Sequence, residues 1–184
     1  MSDSKVRDLV LCSLFVALII VGTFIRVPIP VLPFTLQFLF TMLAGLLLGP
    51  KLGATSVIVY IILGLIGIPV FTEGGGIGYV FKPSFGYIIG FVFSTYATGK
   101  IANKEKNPGM KRLLIANFVG LFILYAIGMI YYYFMSNYYL GSPIGVRALI
   151  LYCFILAIPG DILLCILGAI LGKRLIPLVN KGFN

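Results

Sequence analysis

The chain has 184 residues, 60% of them hydrophobic and only 10% charged, with a mean hydropathy of +1.11 and a formal net charge of +9. Soluble domains average about 45–50% apolar and about 25% charged residues, so a water-soluble globule of this size could not hide so many apolar side chains. The balance puts the chain in a bilayer and excludes a disordered tail, a secreted disulfide scaffold and a nucleic-acid module.

Six segments approach or reach the roughly 17–25 apolar residues that a spanning helix needs. The first, about 8–25, carries no charge between Asp8 and Arg26 and lacks the cleavage site of a secretory signal. Next comes Pro28-Ile29-Pro30-Val31-Leu32-Pro33, whose prolines force an extended approach to the following helix. The second and third segments, about 34–49 and 53–71, are parted by Gly49-Pro50. The fourth covers about 84–100, the fifth 112–135 and the sixth 146–172. The expected fold is an all-α integral membrane protein: one domain over 1–184, a compact bundle of six transmembrane helices.

The basic residues give that bundle a direction. With the N-terminus inside, Lys5, Arg7, Lys51, Lys100, Lys104, Lys106, Lys111, Arg112, Lys173, Arg174 and Lys181 are cytoplasmic, eleven of the fourteen cations. Arg26, Lys82 and Arg147 remain outside. By the positive-inside rule both termini are then cytoplasmic, and the net charge is a topology signal rather than a nucleic-acid footprint. Stripes of small residues, Gly86-Gly90-Ser94-Thr98 and Ala157-Asp161-Cys165-Gly168-Gly172, suit close helix packing inside the bundle. A shorter one, Ser13 and Ala17 on the first helix, lies where a second membrane protein could dock.

The inventory argues against an enzyme. There is no histidine, no CxxC among Cys12, Cys153 and Cys165, and no GxxxxGK[ST]. No catalytic residue, metal ligand or cofactor is expected, and any energy input comes from a gradient or a partner. Chemistry concentrates instead in a few polar residues. Asp161, after Pro159-Gly160, sits about 20 Å into the sixth segment at 1.5 Å per residue, where an ionised group is costly and functional by default. It contacts a ligand, pairs with Lys82 or a water, or relays a proton. The loop Thr72-Glu73-Gly74-Gly75-Gly76-Ile77-Gly78-Tyr79-Val80-Phe81-Lys82-Pro83 reads as a flexible lid or a plain connection. Its Lys82 holds a carboxylate or anchors to lipid headgroups. Gln37, one turn into the second helix, braces a neighbour or meets a ligand. With Phe34, Phe71, Tyr79, Phe81 and Tyr87 these groups converge on the outer half. They suit a small, partly apolar molecule with a carboxylate at one end and N–H donors at the other.

At these residues the chain resembles the BioY family, the biotin-specific substrate-capture (S) components of energy-coupling-factor (ECF) vitamin transporters. The matching stretches are Val31-Leu32-Pro33-Phe34-Thr35-Leu36-Gln37, Ala44-Gly45-Leu46-Leu47-Leu48-Gly49-Pro50-Lys51-Leu52-Gly53 and Gly64-Leu65-Ile66-Gly67-Ile68-Pro69-Val70-Phe71. The glycine loop into Pro83-Ser84-Phe85-Gly86-Tyr87, and then Pro159-Gly160-Asp161, follow in the family's order. The resemblance implies a prokaryotic cell-membrane protein that captures biotin at its outer face. It also implies a transmembrane scaffold (T) subunit, docked through Ser13 and Ala17, and two cytoplasmic ATPases. Biotin's carboxylate would go to Lys82, its ureido N–H groups to Asp161 or Gln37, and its apolar ring and chain to Phe34, Tyr79 and Tyr87. Two positions depart from the family's usual pattern. Leu164 stands where a basic residue often follows the helix-six aspartate, and Lys82-Pro83-Ser84-Phe85-Gly86-Tyr87 replaces Gly-Pro-Thr-Gly-Gly-Tyr. Lys82 is expected to take over the carboxylate grip. The alternatives are a related acid such as lipoate or dethiobiotin, or a solitary secondary transporter or facilitator.

Overall fold

The structure, a computed structural model, describes residues 3–27 and 34–181. The three prolines before the second expected span, and Val31 and Leu32 between them, lie outside the described residues. Helix α1 (Asp3–Phe24) is followed by two-residue strands β1 (Arg26–Val27) and β2 (Phe34–Thr35), paired antiparallel with Arg26 opposite Thr35. Then come α2 (Gln37–Leu65), α3 (Phe85–Ala102), α4 (Met110–Phe134), α5 (Val146–Ile150) and α6 (Ile158–Lys181). Helix α4 runs on into a π-helical turn, Met135–Tyr139, and α5 into another, Leu151–Ile155. The described helices long and apolar enough to cross a membrane cover Lys5–Phe24, Gln37–Leu65, Met110–Tyr139 and Val146–Val179.

Helix α2 is two arms joined at an elbow. Gly49 has φ 82° and ψ 179°, a conformation outside any helix and open to glycine, and Pro50 cannot donate to the turn before it. The arms fold back on each other: a Cβ on Gly53 would lie 2.8 Å from the Ala44 carbonyl oxygen, whereas nine residues of straight helix span about 13.5 Å. Pro50 deprives the Leu46 carbonyl of its helical donor, and Asn103 at the end of α3 substitutes. Its Nδ2 donates to Leu46 O at 3.3 Å, Gly45 O at 3.2 Å and Gly99 O at 2.9 Å. The backbones meet there almost without side chains. A Cβ on Gly45 would lie 2.5 Å from Thr95 O, and one on Gly99 2.7 Å from Gly45 O.

Helix α3 is sandwiched between α2 and α4, α1 lies on α2, and α6 packs on both α2 and α4. The small-residue stripes face inward as expected. Gly90 leaves room for Leu124 of α4, and Gly120 for Thr98. Along α6, Gly168 admits Met42 and Gly172 admits Leu46, while Asn117 Nδ2 donates to Cys165 O at 2.8 Å. Ser13 and Ala17 are exposed, beside the exposed Leu9, Val10, Leu14 and Val21 of the same helix. All three cysteines are free and buried.

Several boundaries differ from those expected. Helix α1 begins at Asp3 rather than near 8, and α6 continues through Pro177 to Lys181 rather than ending near 172. The second arm of α2 stops at Leu65 instead of 71, because Gly67 takes φ 109° and Pro69 follows two residues later. The expected 146–172 helix is interrupted: a turn at Leu156–Ala157 separates the π-helical segment from α6. Pro159 therefore stands in the first turn of α6, where a missing N–H costs nothing, rather than kinking a continuous helix.

Candidate functional site

That interruption decides the setting of Asp161. The carboxylate belongs to the first turn of α6, whose aligned peptide dipoles favour a negative charge. The residue is only 7% exposed, and Tyr125 of α4 donates its hydroxyl to Oδ2 at 2.5 Å. Neither Lys82 nor another cation pairs with it among the described ion pairs. An ionised carboxylate offers about four lone-pair sites, so one tyrosine leaves acceptor capacity directed at a cavity that Asp161 itself lines.

The cavity lies between all the long helices except α1. Phe34 and Thr35 come from β2, Gln37, Phe38 and Tyr60 from the two arms of α2, and Tyr87, Ile88 and Phe91 from α3. Leu124 and Tyr125 of α4, Ala157 before α6, and Thr72, Tyr79 and Ser84 of the connecting loop complete it. About 70 Å³ is open to the centres of water molecules, several times the roughly 10–15 Å³ that a single water needs. The wall is mostly aromatic and aliphatic with a few polar groups, the ordinary make-up of a small-molecule site.

The polar groups differ in how they are satisfied. Tyr60 donates to Val70 O at 3.2 Å and Tyr87 to Cys153 O at 3.3 Å. Thr72 and Tyr79 share a hydroxyl–hydroxyl bond of 3.0 Å. Gln37 is the exception: it is 4% exposed, and among the described residues its Nε2 has no partner in hydrogen-bonding geometry, reaching only loosely toward the Tyr60 hydroxyl. An unsatisfied buried amide donor costs about 1–3 kcal/mol, a cost that a ligand acceptor in the cavity would remove.

The glycine loop is hydrogen-bonded at several points. Phe71 and Gly74 pair in an antiparallel bridge around a Thr72-Glu73 tip, and Gly76 N donates to Gly64 O at 2.7 Å. Tyr131 donates its hydroxyl to Val80 O. The loop expected as a lid or a plain connection thus covers one side of the cavity as a cap, with its turns closed by hydrogen bonds. Gly74 and Gly76, with φ of 109° and 105°, supply its turns.

Asp161, Gln37, Tyr87, Tyr79 and Phe34 all line the one cavity, although they come from four separate stretches of chain. Lys82 does not line it. Its ammonium sits at the rim, 4.8 Å from the centroid of the Tyr79 ring and 2.6 Å from Glu73 Oε2. Phe71 and Phe81 also fall outside the lining: the first is packed against Tyr60 and Tyr79, and the second stacks on Tyr139. Leu164 is buried in the core and contributes nothing to the cavity, so no lysine or arginine is among the lining residues. Sequence reasoning missed Tyr60, Tyr125, Phe38, Phe91 and Thr72. A signal existed for the two tyrosines: each lies far inside an apolar run, where a phenolic hydroxyl needs a partner just as a carboxylate does.

The chain matches the family model described as the BioY family over residues 1–181. The probable biotin transporter BioY of Lysinibacillus sphaericus is 43% identical over 175 residues, covering 95% of this chain and 89% of that protein. The biotin transporter BioY of Thermotoga maritima is 34% identical over 170 residues, covering 92% and 95%. Among solved structures, the S-component for biotin from an ECF-type ABC transporter superposes with a TM-score of 0.80 at 33% identity, over 95% of this chain and 93% of that one.

Proposed function

The chain belongs to the BioY family, and from that premise we propose that it captures biotin as the substrate-binding (S) component of an ATP-driven ECF-type uptake transporter. The observation that carries the reading is the pairing, within one aromatic cavity, of a buried carboxylate having spare acceptor capacity with a buried amide whose donor has no well-formed hydrogen bond among the described residues. A ureido ring is the complement of that pair. Its N–H groups go to Asp161 and its carbonyl oxygen to Gln37 Nε2, while Phe34, Tyr79 and Tyr87 cover the apolar ring and chain. Lipoate, which has no N–H donors, would leave both groups unpaired, and a site built to hydrogen-bond its substrate rejects such an analogue strongly. Dethiobiotin keeps the ureido group and is discriminated only by the loss of the thiophane ring.

With no cation in the lining, the carboxylate of the valerate chain goes outward to Lys82 at the rim. The membrane arrangement in this proposal has six spans. The two arms of α2 count separately because Gly49 and Pro50 reverse the chain, and α3 adds an apolar 18-residue helix between them and α4. Both termini face the cytoplasm, as the eleven-to-three division of cations requires. The exposed face of α1 around Ser13 and Ala17 docks the T subunit, and two cytoplasmic ATPases drive transport. Calorimetry on the purified protein tests the proposal: biotin binds with high affinity, dethiobiotin less tightly and lipoate not at all. A cavity that ignores biotin, or that takes lipoate as readily, would overturn it.

A further inference from the structure

Three charged groups crowd the rim of the cavity, and their pairing is uneven. Arg26, placed by the β1–β2 ladder, donates from Nη1 to the Thr72 carbonyl at 2.8 Å. It thereby fixes the backbone of the two-residue tip whose Thr72 side chain lines the cavity. Glu73 is the other tip residue. The Phe71–Gly74 bridge holds it, and it meets Lys82 at 2.6 Å in the only described ion pair at this end of the molecule. The Lys82 and Glu73 side chains remain 40% and 52% exposed, so the pair is exchangeable with solvent ions rather than locked in a low-dielectric interior.

We propose that Glu73 is a built-in competitor for the substrate's carboxylate: it occupies Lys82 while the cavity is empty and yields the ammonium to the ligand on binding. The inference rests on the reading of Lys82 as the carboxylate's cation, and it gives Glu73 a role in setting affinity and charge selectivity. An anionic ligand gains Lys82 only by displacing Glu73, so its net gain is the difference between two carboxylate–ammonium contacts. A neutral ligand leaves the pair intact. Because Arg26 holds Thr72 independently, the displaced Glu73 side chain swings away without dismantling the cap. The device lowers affinity for the acid and makes release easier, as suits a component that must hand its cargo on.

Binding of biotin and of its neutral amide, biotinamide, to wild type, Glu73→Gln, Lys82→Gln and the double variant tests the exchange by calorimetry. Biotinamide also reports that each variant is folded. Glu73→Gln is expected to tighten biotin about two- to fivefold, the range of an exposed ion pair, and to leave biotinamide unchanged. Lys82→Gln brings biotin down to near the level of biotinamide, and in that background Glu73→Gln has no effect. If Lys82→Gln leaves the preference of biotin over biotinamide intact, Lys82 is not the carboxylate's partner and the exchange falls with it. If Lys82→Gln abolishes the preference but Glu73→Gln fails to tighten biotin, the exchange alone is wrong. Tightening by Glu73→Gln that persists without Lys82 would reduce Glu73 to simple charge repulsion and would also overturn the exchange.

Discussion

The two ends of this helical bundle use small and polar residues for opposite purposes. At the elbow of α2, glycines bring backbones together until nothing more fits, and a single amide, that of Asn103, satisfies the carbonyls which the break at Gly49-Pro50 exposes. Around Asp161 and Gln37 the same helices enclose a cavity walled largely by aromatic rings, and polar groups are left with hydrogen-bonding capacity to spare. In a bilayer, apolarity alone gives helices no reason to associate, so close backbone contact has to supply the packing. The satisfied elbow supplies the rigidity that lets the other end remain unfilled.

Substitutions at the two ends are therefore expected to separate binding from stability. The largest effect is on binding: Asp161→Ala removes the acceptor for two N–H groups and costs roughly 3 kcal/mol, about a hundredfold in biotin affinity. Calorimetry measures that loss, and an unchanged melting temperature in detergent would confirm that the fold survives. Gly45→Ala comes next and acts on stability. A methyl group 2.5 Å from the Thr95 carbonyl forces α2 and α3 apart, at about 1–3 kcal/mol for overpacking, and thermal unfolding reads the shift. Smallest is Asn103→Ala, which strands a carbonyl that Pro50 already deprives of a donor. Its cost is about 1–2 kcal/mol, seen as a lower melting temperature with biotin affinity retained. If Asn103→Ala weakened binding as much as Asp161→Ala does, the two ends would not be independent and the contrast would fail.

Much of the candidate site was legible because charge is so scarce in this chain. Asp161 and Gln37 stood out as polar groups inside apolar runs, and the structure brings both to one cavity. Tyr125 escaped notice because a tyrosine in a spanning helix is most simply read as an interfacial anchor. Its bond to Asp161 joins residues 36 apart in sequence, a pairing that no local pattern encodes. Lys82 was singled out but stands outside the cavity lining, and its engagement by Glu73 depends on the turn at Phe71–Gly74, where hydrogen bonds rather than composition fix the geometry. The same limit explains the overshoot of the third expected span. The run to Phe71 is apolar enough to be helix, yet Gly67 and Pro69 end it at Leu65 and turn the remainder into cap.

The cap has a thermodynamic consequence. Its turns are already closed by the Phe71–Gly74 bridge, the Gly76–Gly64 bond and the Tyr131–Val80 bond, so a ligand entering beneath it has little chain left to order. Binding that folds a segment carries a large heat-capacity change and a matching entropy loss. Here the heat capacity of association should instead scale with the apolar surface of the ligand and the aromatic wall alone. The affinity is then a property of a preorganised mould rather than of a gate that must be built around each guest.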